Sequence, residues 1–249
     1  MMNKISKLAK IGKNVKLGTN NIIGDYTVIA DNVIIGDNNR LYPFNKIYPN
    51  VSIGNNNIFL ENNLIGEHPV TIDDTFTKKI YNGVNIGSNN FFHCNNSIFG
   101  GYNNKTIIGD YNKFMFNNII HHDVNIASYV NIYPSAHIAG YSILMSYSGM
   151  GISSIIHQNR VLGSYSFTGA LTASTKHVFP FLITVGNKYT RVNSKRAPEI
   201  TQKYQKQLFE LMEQTQKTIP DNVDDKIKDF PEEISKHLTE YFNNIKQLR

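Results

Sequence analysis

Residues 11–66 read IGKNVKLGTNNIIGDYTVIADNVIIGDNNRLYPFNKIYPNVSIGNNNIFLENNLIG, and their periodicity is the strongest indication of the fold. Every sixth residue in it is apolar, ten times in succession. Apolar residues make up 41% of the chain, so chance does not explain an unbroken series of this length. A six-residue period repeated this often indicates a solenoid. The positions are Ile11, Leu17, Ile23, Ile29, Ile35, Leu41, Ile47, Ile53, Phe59 and Ile65.

A second apolar series of the same period follows, and it ends where Thr168 takes the next position. The period is lost twice between the two series, and these breaks predict loops ejected from the coil near residues 67–83 and 99–106. Ejected loops are where rigid scaffolds often carry function. The second series consists of Ile108, Phe114, Ile120, Ile126, Ile132, Ile138, Leu144, Met150, Ile156 and Leu162.

The residues between the apolar positions predict the shape of each repeat. The position after an apolar residue is often Gly or Ala, and the third position after it is often Asn. Asn tolerates the left-handed backbone that a sharp corner needs, so each hexad predicts one flat side and one corner. Three sides close a triangular coil of eighteen residues, in which residues eighteen apart stack at about 4.8 Å.

The end of the chain has a different period. Pro198 suits the first turn of a helix, and Ile234, Leu238, Phe242 and Ile245 follow helical spacing. We therefore predict a mainly β protein with two parts, a parallel β-helix over residues 1–187 and a C-terminal α-helical cap over residues 188–249. The cap would cover the open strand edges at the end of the coil.

Bulk properties limit the class of protein. The chain has 249 residues, a net charge of +6 and a single cysteine, Cys94. It shows no signal-peptide core, no apolar run of membrane-span length and no nucleic-acid-binding motif. These features predict a cytoplasmic protein with no transmembrane segment and no nucleic-acid partner, held together without disulfides.

The sequence predicts catalytic residues at His122 and Asp123, which follow the apolar ladder residue Ile120. An imidazole beside a carboxylate is suited to act as a general base. Adding eighteen to His122 gives Gly140, whose bare backbone N–H is suited to stabilise an oxyanion. A further eighteen gives Gln158, and the parallel column runs from His121 to His157. On spacing alone, surface histidines near a corner acid and an ordinary corner glycine remain the alternatives.

These residues carry a resemblance to a known family. The segments IIHHDVNIASYVNIYPSAHIAG, IIHQNRVLG and VFPFLITVGN, together with the ending DDKIKDFPEEISKHLTEYFNNIKQLR, resemble the bacterial acyl-carrier-protein:UDP-N-acetylglucosamine O-acyltransferases of lipid A biosynthesis. The resemblance implies a left-handed coil, a homotrimer with the active site between subunits, and no cofactor or metal. It also implies acyl transfer to a nucleotide sugar without a covalent acyl-enzyme.

Roles for single residues follow from the same resemblance. It implies that His122 is the catalytic base, Asp123 its partner and Gly140 the donor to the thioester oxygen. The residues expected to contact substrate are His121, Tyr141, His157, Gln158, Ala170, Asn187, Asn193 and Arg196, with Asp73 and Asp74 of the first loop added by location only. Ala170 falls where the family places its acyl-length ruler.

Two departures predict an altered acceptor side of the site. Tyr141 stands where the family has a histidine, and Phe99-Gly100-Gly101 replaces its His-Arg-Gly segment beside the nucleotide sugar. The acceptor is therefore expected to be a UDP-N-acetylglucosamine-like nucleotide sugar, acylated on a hydroxyl or an amine.

The acyl donor is expected to be the 4′-phosphopantetheine thioester of acyl carrier protein or an acyl-CoA. Residues 188–217 contain seven basic and three acidic side chains, which favours an acidic carrier protein. The alternative is a CoA-dependent N-acetyltransferase acting on a nucleotide amino sugar for surface glycans. A metal enzyme of the γ-carbonic anhydrase type is disfavoured, because two adjacent histidines on an extended segment point to different sides.

Overall fold

A computed structural model describes residues 2–69, 81–216, 219–220 and 222–248. Their strands form three sheets that run along the three sides of a coil. Sheet 1 contains β1 (Lys4–Ile5), β4 (Ile22–Ile23), β7 (Arg40–Leu41), β10 (Ile58–Phe59), β13 (Phe91–Phe92), β16 (Lys113–Phe114), β19 (Asn131–Ile132), β22 (Gly149–Met150), β25 (Phe167–Thr168), β27 (Leu182–Val185) and β28 (Lys188–Val192).

Strands β1 to β26 go to sheets 1, 2 and 3 in turn, as a three-sided coil requires, and β27 and β28 then both join sheet 1. Sheet 2 contains β2 (Lys10–Ile11), β5 (Val28–Ile29), β8 (Lys46–Ile47), β11 (Leu64–Glu67), β14 (Ser97–Phe99), β17 (Ile119–Ile120), β20 (His137–Ile138), β23 (Ile155–Ile156) and β26 (Ala173–Ser174). Sheet 3 contains β3 (Lys16–Leu17), β6 (Ile34–Ile35), β9 (Ser52–Ile53), β12 (Val84–Ile86), β15 (Thr106–Ile108), β18 (Asn125–Ile126), β21 (Ile143–Leu144) and β24 (Val161–Leu162).

The strand register confirms the eighteen-residue coil. Ile120 of β17 pairs in parallel with Ile138 of β20, and Ile138 pairs with Ile156 of β23. The ladder side chains fill the centre of the prism and are buried from Ile23 onward. Ile11 is 40% exposed, because it lies in the first coil at the open end. Thr168 also faces inward, where its hydroxyl donates a hydrogen bond to Ser154 Oγ at 3.1 Å.

The regular corners have the predicted left-handed backbone at the third position after the ladder residue. We name each corner by the sheets that it joins, so corner 2-3 follows a strand of sheet 2. Asn14, Asn32 and Asn50 have φ values of 55°, 60° and 61°. Asp123 and Tyr141 occupy the same position, with φ values of 58° and 59°. The corner constraint therefore applies to the candidate site as well as to the asparagines.

A second asparagine series, at the fourth position after the ladder, is buried inside corners 1-2 and 3-1. Its members bond one coil to the next. Asn57 Oδ1 accepts hydrogen bonds from Asn90 N and Nδ2 at 2.9 and 3.0 Å, and Asn57 Nδ2 donates to Gly87 O at 2.9 Å. The buried members are Asn21, Asn39, Asn45, Asn57, Asn63, Asn90, Asn96, Asn112 and Asn118.

We predict that Asn57→Ala lowers the free energy of unfolding by at least about 2 kcal/mol, because several buried polar groups lose their partner. Asn56→Gly is the matched control, since Asn56 is exposed and its φ of 58° suits glycine. Chemical denaturation of both variants measures the difference. Equal losses in the two variants would show that the buried series does not tie the coils together.

The chain after the coil forms four helices within the described residues: α1 (Ile200–Lys203), α2 (Gln205–Thr215), α3 (Val223–Lys228) and α4 (Glu232–Gln247). The predicted inward face of α4 is buried from Ile234 to Ile245. It packs with Phe179, Phe181 and α2 in a core separate from that of the coil. No described helix is long and apolar enough to cross a bilayer.

Residues 188–192 form a strand rather than a helix. This strand, β28, pairs antiparallel with β27 and ends sheet 1. The hairpin thus leads the chain from the last coil into the helices. The division into two parts after residue 187 stays a prediction.

The imidazole of His237 in α4 lies against the rings of Tyr165 and Phe181, at centroid distances of 5.1 and 5.8 Å. Burial lowers the pKa of His237 below its ordinary 6.5, and Lys236 lowers it further. The unfolded chain therefore binds a proton at His237 more readily than the folded chain does. Stability from this group is present above the unfolded pKa and is lost as the pH falls through it.

We predict a lower melting temperature at about pH 5.5 than at about pH 7.5, with a smaller difference in the His237→Phe variant. Thermal unfolding of the unaltered protein and of the variant at the two pH values measures the difference in melting temperature. An identical pH difference in the variant would contradict this assignment.

Candidate active site

The candidate base lies on corner 2-3, directly after β17. Ile120 is buried in the coil, and the chain then turns outward through His122 and Asp123. The two side chains are 14% and 1% exposed, and His122 Nδ1 lies 2.9 Å from Asp123 Oδ2. In neutral His122 this contact makes Nδ1 the protonated nitrogen, so the lone pair is on Nε2. Nε2 has no hydrogen-bond partner among the described residues and is available to accept a proton.

The Asp123 carboxylate is held by the loop that the second break in the period predicts. The backbone N–H groups of Tyr102, Asn103 and Asn104 donate to it at 2.7, 2.9 and 2.6 Å. Together with His122 Nδ1, these donors fix both carboxylate oxygens. The loop therefore orients Asp123, and Asp123 orients the imidazole.

Gly140 lies one coil further along the same corner, against the His122 ring. A Cβ at Gly140 would lie 2.9 Å from His122 Cε1 and 3.0 Å from Nε2, so a larger residue would displace the imidazole. The neighbouring Tyr141 N–H donates to His122 O at 3.2 Å and holds the two coils in register. Among the described residues, no acceptor bonds the Gly140 N–H. The structure thus brings the predicted base and the predicted oxyanion donor together.

Two tyrosines flank the imidazole. The Tyr141 ring meets the His122 ring edge-on at 5.1 Å, and the Tyr102 ring lies at 6.2 Å. Asn103 Nδ2 donates to Tyr141 Oη at 2.7 Å. Burial raises the pKa of the Tyr141 hydroxyl, and the nearby Asp123 carboxylate raises it further. The hydroxyl therefore stays protonated at neutral pH and can donate a hydrogen bond.

His121 and His157 lie in the parallel column at the edge of the same corner. The His121 ring stacks on Phe99 at 5.5 Å, and burial lowers its pKa, with His122 contributing next. His157 and Gln158 are exposed, and His157 Nδ1 lies 3.3 Å from the carbonyl of Gln158. Both are available to a ligand that lies along corner 2-3.

The remaining predicted residues lie further away. Asn187 is on the same edge, where its side-chain amide bonds Thr175 N and Oγ1 at 3.2 and 3.0 Å. Ala170 is exposed on corner 1-2, away from His122 in the same chain. Asp73 and Asp74 lie outside the described residues.

Asn193 and Arg196 direct their side chains to the coil. Asn193 is 4% exposed, and its Nδ2 donates to Tyr165 O at 2.8 Å. The Arg196 guanidinium donates to Ser148 O and Tyr129 O at 2.7 and 2.9 Å, both near corner 3-1. These contacts fasten the start of the cap to the coil. A substrate contact for either residue stays a prediction.

The segment Tyr102–Asn104 holds Asp123 but was not among the residues predicted from the sequence. A signal for them was present, because the spacing from Ile98 to Ile120 is twenty-two residues instead of eighteen. The four additional residues form a loop one coil before His122. In the part of the chain that the structure describes, no group of three His, Cys, Asp or Glu residues is arranged to hold a metal ion.

We predict that Asp123→Ala releases the loop, because three backbone N–H groups lose their acceptor. Hydrogen exchange at residues 102–104 should accelerate by at least about tenfold, whereas amides of the distant strand β7 should be unchanged. Asp123→Asn keeps an acceptor oxygen and should show a smaller increase. Unchanged exchange at residues 102–104 in Asp123→Ala would contradict the assigned hydrogen bonds.

Known proteins resemble this chain both in its repeat and in its whole fold. The bacterial transferase hexapeptide model (six repeats) matches residues 32–67. The acyl-[acyl-carrier-protein]–UDP-N-acetylglucosamine O-acyltransferase of Rhizobium etli is 32% identical over 89 residues, which are 36% of this chain and 32% of the relative. That of Paraburkholderia phymatum is 35% identical over 83 residues, 33% of this chain and 32% of the relative. The matched segments span about a third of these relatives.

Solved structures match over nearly the full chain. The UDP-N-acetylglucosamine acyltransferase of Francisella novicida has a TM-score of 0.81 and 25% identity, covering 98% of this chain and 89% of its own. LpxA of Acinetobacter baumannii has a TM-score of 0.80 and 24% identity, covering 98% and 96%. Such neighbours are left-handed β-helices, which confirms the expected fold class. In repeat and in fold, this chain is therefore similar to the UDP-N-acetylglucosamine acyltransferases, and the resemblance expected from its residues is confirmed.

Proposed function

We propose that this protein transfers an acyl group from the thioester of acyl carrier protein to a hydroxyl or amine of a UDP-N-acetylglucosamine-like nucleotide sugar. The observation that carries the proposal is the placement of His122 Nε2 against Gly140, one coil apart on corner 2-3. The similarity to UDP-N-acetylglucosamine acyltransferases supports the class of reaction.

His122 acts as the general base. Nε2 removes the proton from the attacking hydroxyl or amine as that atom forms a bond to the thioester carbonyl carbon. Asp123 accepts the Nδ1 hydrogen bond and stabilises the imidazolium that forms. The loop N–H groups keep Asp123 in this orientation throughout the step.

Gly140 stabilises the tetrahedral intermediate. The Gly140 backbone lies against the His122 ring, and we assign its N–H as the donor to the oxygen that becomes negative during attack. When the intermediate collapses, the C–S bond breaks and the carrier thiolate leaves with the bonding electrons. The imidazolium then returns its proton to the thiolate. The lone Cys94 is on corner 1-2, away from this site, so the acyl group passes to the acceptor directly.

The two ends of corner 2-3 have different chemistry. On one side of His122 lie Phe99, which belongs to one of the departures from the family pattern, and the Tyr102–Asn104 segment. On the other side lie His157 and Gln158. We assign the first side to the acceptor, where the Tyr141 hydroxyl donates to an oxygen of the sugar. We assign the second side to the acyl-pantetheine donor.

The same proposal includes a homotrimer with the site closed by a neighbouring subunit. Large apolar side chains support it, because Tyr133, Ile152 and Leu171 are 43%, 53% and 82% exposed. Such a surface is typical of a contact with another chain. Light scattering should give about three times the mass of one chain, and a monomer would contradict this part of the proposal.

The decisive test is turnover of purified variants with acyl carrier proteins of several chain lengths and a set of nucleotide sugars that includes UDP-N-acetylglucosamine. His122→Ala should lower kcat by about 10²- to 10⁴-fold, because the proton acceptor is gone. Gly140→Ala should also lower kcat strongly, because its Cβ displaces the imidazole. Mass spectrometry identifies the acylated sugar.

Tyr111→Asn is the control, since Tyr111 is 49% exposed on corner 3-1, away from both the site and the proposed subunit contact, and should leave kcat within about twofold. Thermal unfolding verifies that each variant is folded. Near-normal turnover in His122→Ala would remove the assigned base. Turnover of acetyl-CoA without acyl carrier protein would instead favour the CoA-dependent N-acetyltransferase.

A further inference from the structure

A cavity of about 260 Å³ lies between the end of the coil and the helices α2 and α4, separate from His122. Its coil side contains Thr175, three coils beyond His121 in the same column, so the mouth is about 14 Å along the prism from the candidate active site. Nothing in the proposed reaction uses this space.

The rim of the cavity is basic. Arg160, Lys176 and His177 line it, and the described lining residues include no Asp or Glu. Neither Arg160 nor Lys176 forms an ion pair with any described residue. Positive charge without a compensating carboxylate attracts an anion, and it does so more strongly at a cavity mouth than on an open surface.

Arg160 is fixed in place before any ligand binds. Its Nε donates to Thr175 O at 2.8 Å, and its Nη1 donates to Asn159 O at 2.9 Å. These bonds hold the plane of the guanidinium, while Nη2 has no acceptor among the described residues. A preorganised guanidinium loses little conformational entropy when it binds a carboxylate or phosphate.

The floor of the cavity is apolar. Phe179 follows the last coil, Met212 belongs to α2, and Phe242 and Ile245 belong to α4. All four are at most 6% exposed, so they form a fixed wall. Tyr189 holds this wall to the coil, because its Oη accepts from Phe179 N and donates to His177 O, both at 2.9 Å.

We propose that this cavity binds an amphiphilic organic anion, whose carboxylate or phosphate head bonds Arg160 and Lys176 and whose apolar body lies on the Phe179 and Phe242 side. The site joins the coil to the cap, so its ligand also stabilises the contact between them.

The test is calorimetric titration of the full chain with octanoate, octyl phosphate, 1-octanol and inorganic phosphate. Octanoate or octyl phosphate should bind saturably at one site per chain, and the tighter of the two identifies the preferred head group. Octanol lacks the charge and inorganic phosphate lacks the apolar body, so each should bind at least about tenfold more weakly.

Lys176→Gln removes one of the two cationic side chains that contact the charged head of the ligand, at an exposed position. It should weaken binding of the preferred anion by about tenfold. Lys113→Gln is the matched control on the far side of the coil and should bind like the unaltered protein. The proposal is overturned if neither anion binds saturably, if octanol binds as tightly as the anions, or if Lys176→Gln binds with unchanged affinity. No acyl donor or sugar is present, so this result is independent of the proposed transfer reaction.

Discussion

The structure depends on one backbone constraint, which is the left-handed residue at the regular corners of the coil. A positive φ at the third position after the ladder residue turns the chain sharply enough to close three short sides in eighteen residues, and the corners at His68 and Gly101, where the period breaks, do without it. Asn meets this need at low cost at most corners before Asp123. From Asp123 onward Asp, Tyr and Ser take most of these positions, where ring stacking and hydrogen bonds between coils offset the strain.

The candidate site is a consequence of that corner. Asp123 and Tyr141 are corner residues in successive coils, so the residues before them, His122 and Gly140, must also stack. Strand spacing then places an imidazole and a glycine amide side by side without any dedicated element. The added feature is a four-residue insertion in the preceding coil, whose amides bind the Asp123 carboxylate. The regular coil thus needs only two features to form the candidate active site: the stacking of Gly140 on His122 and the loop that binds Asp123.

Much of the fold and of the candidate site was predictable from the sequence, because the strands of a solenoid have a fixed register. The period predicts the ladder, the coil length and the columns that contain His122, Gly140 and Gln158. The buried asparagine series was missed, because the period alone does not distinguish a side chain that bonds the next coil from one that faces water. The contacts of Asn103 with Asp123 and Tyr141 depend on loop geometry, which has no periodic signal. The same holds for Asn193 and Arg196, whose partners lie 28 to 67 residues away in the chain.

The proposed reaction requires corner 2-3 to present a thioester to a base and to an amide donor at the same time. A crystal structure with an acyl-phosphopantetheine bound would show whether it does. We expect the thioester carbonyl oxygen within hydrogen-bond distance of Gly140 N, with open space beside His122 Nε2 for the acceptor atom. A thioester bound on another corner, or directed away from Gly140, would contradict this expectation.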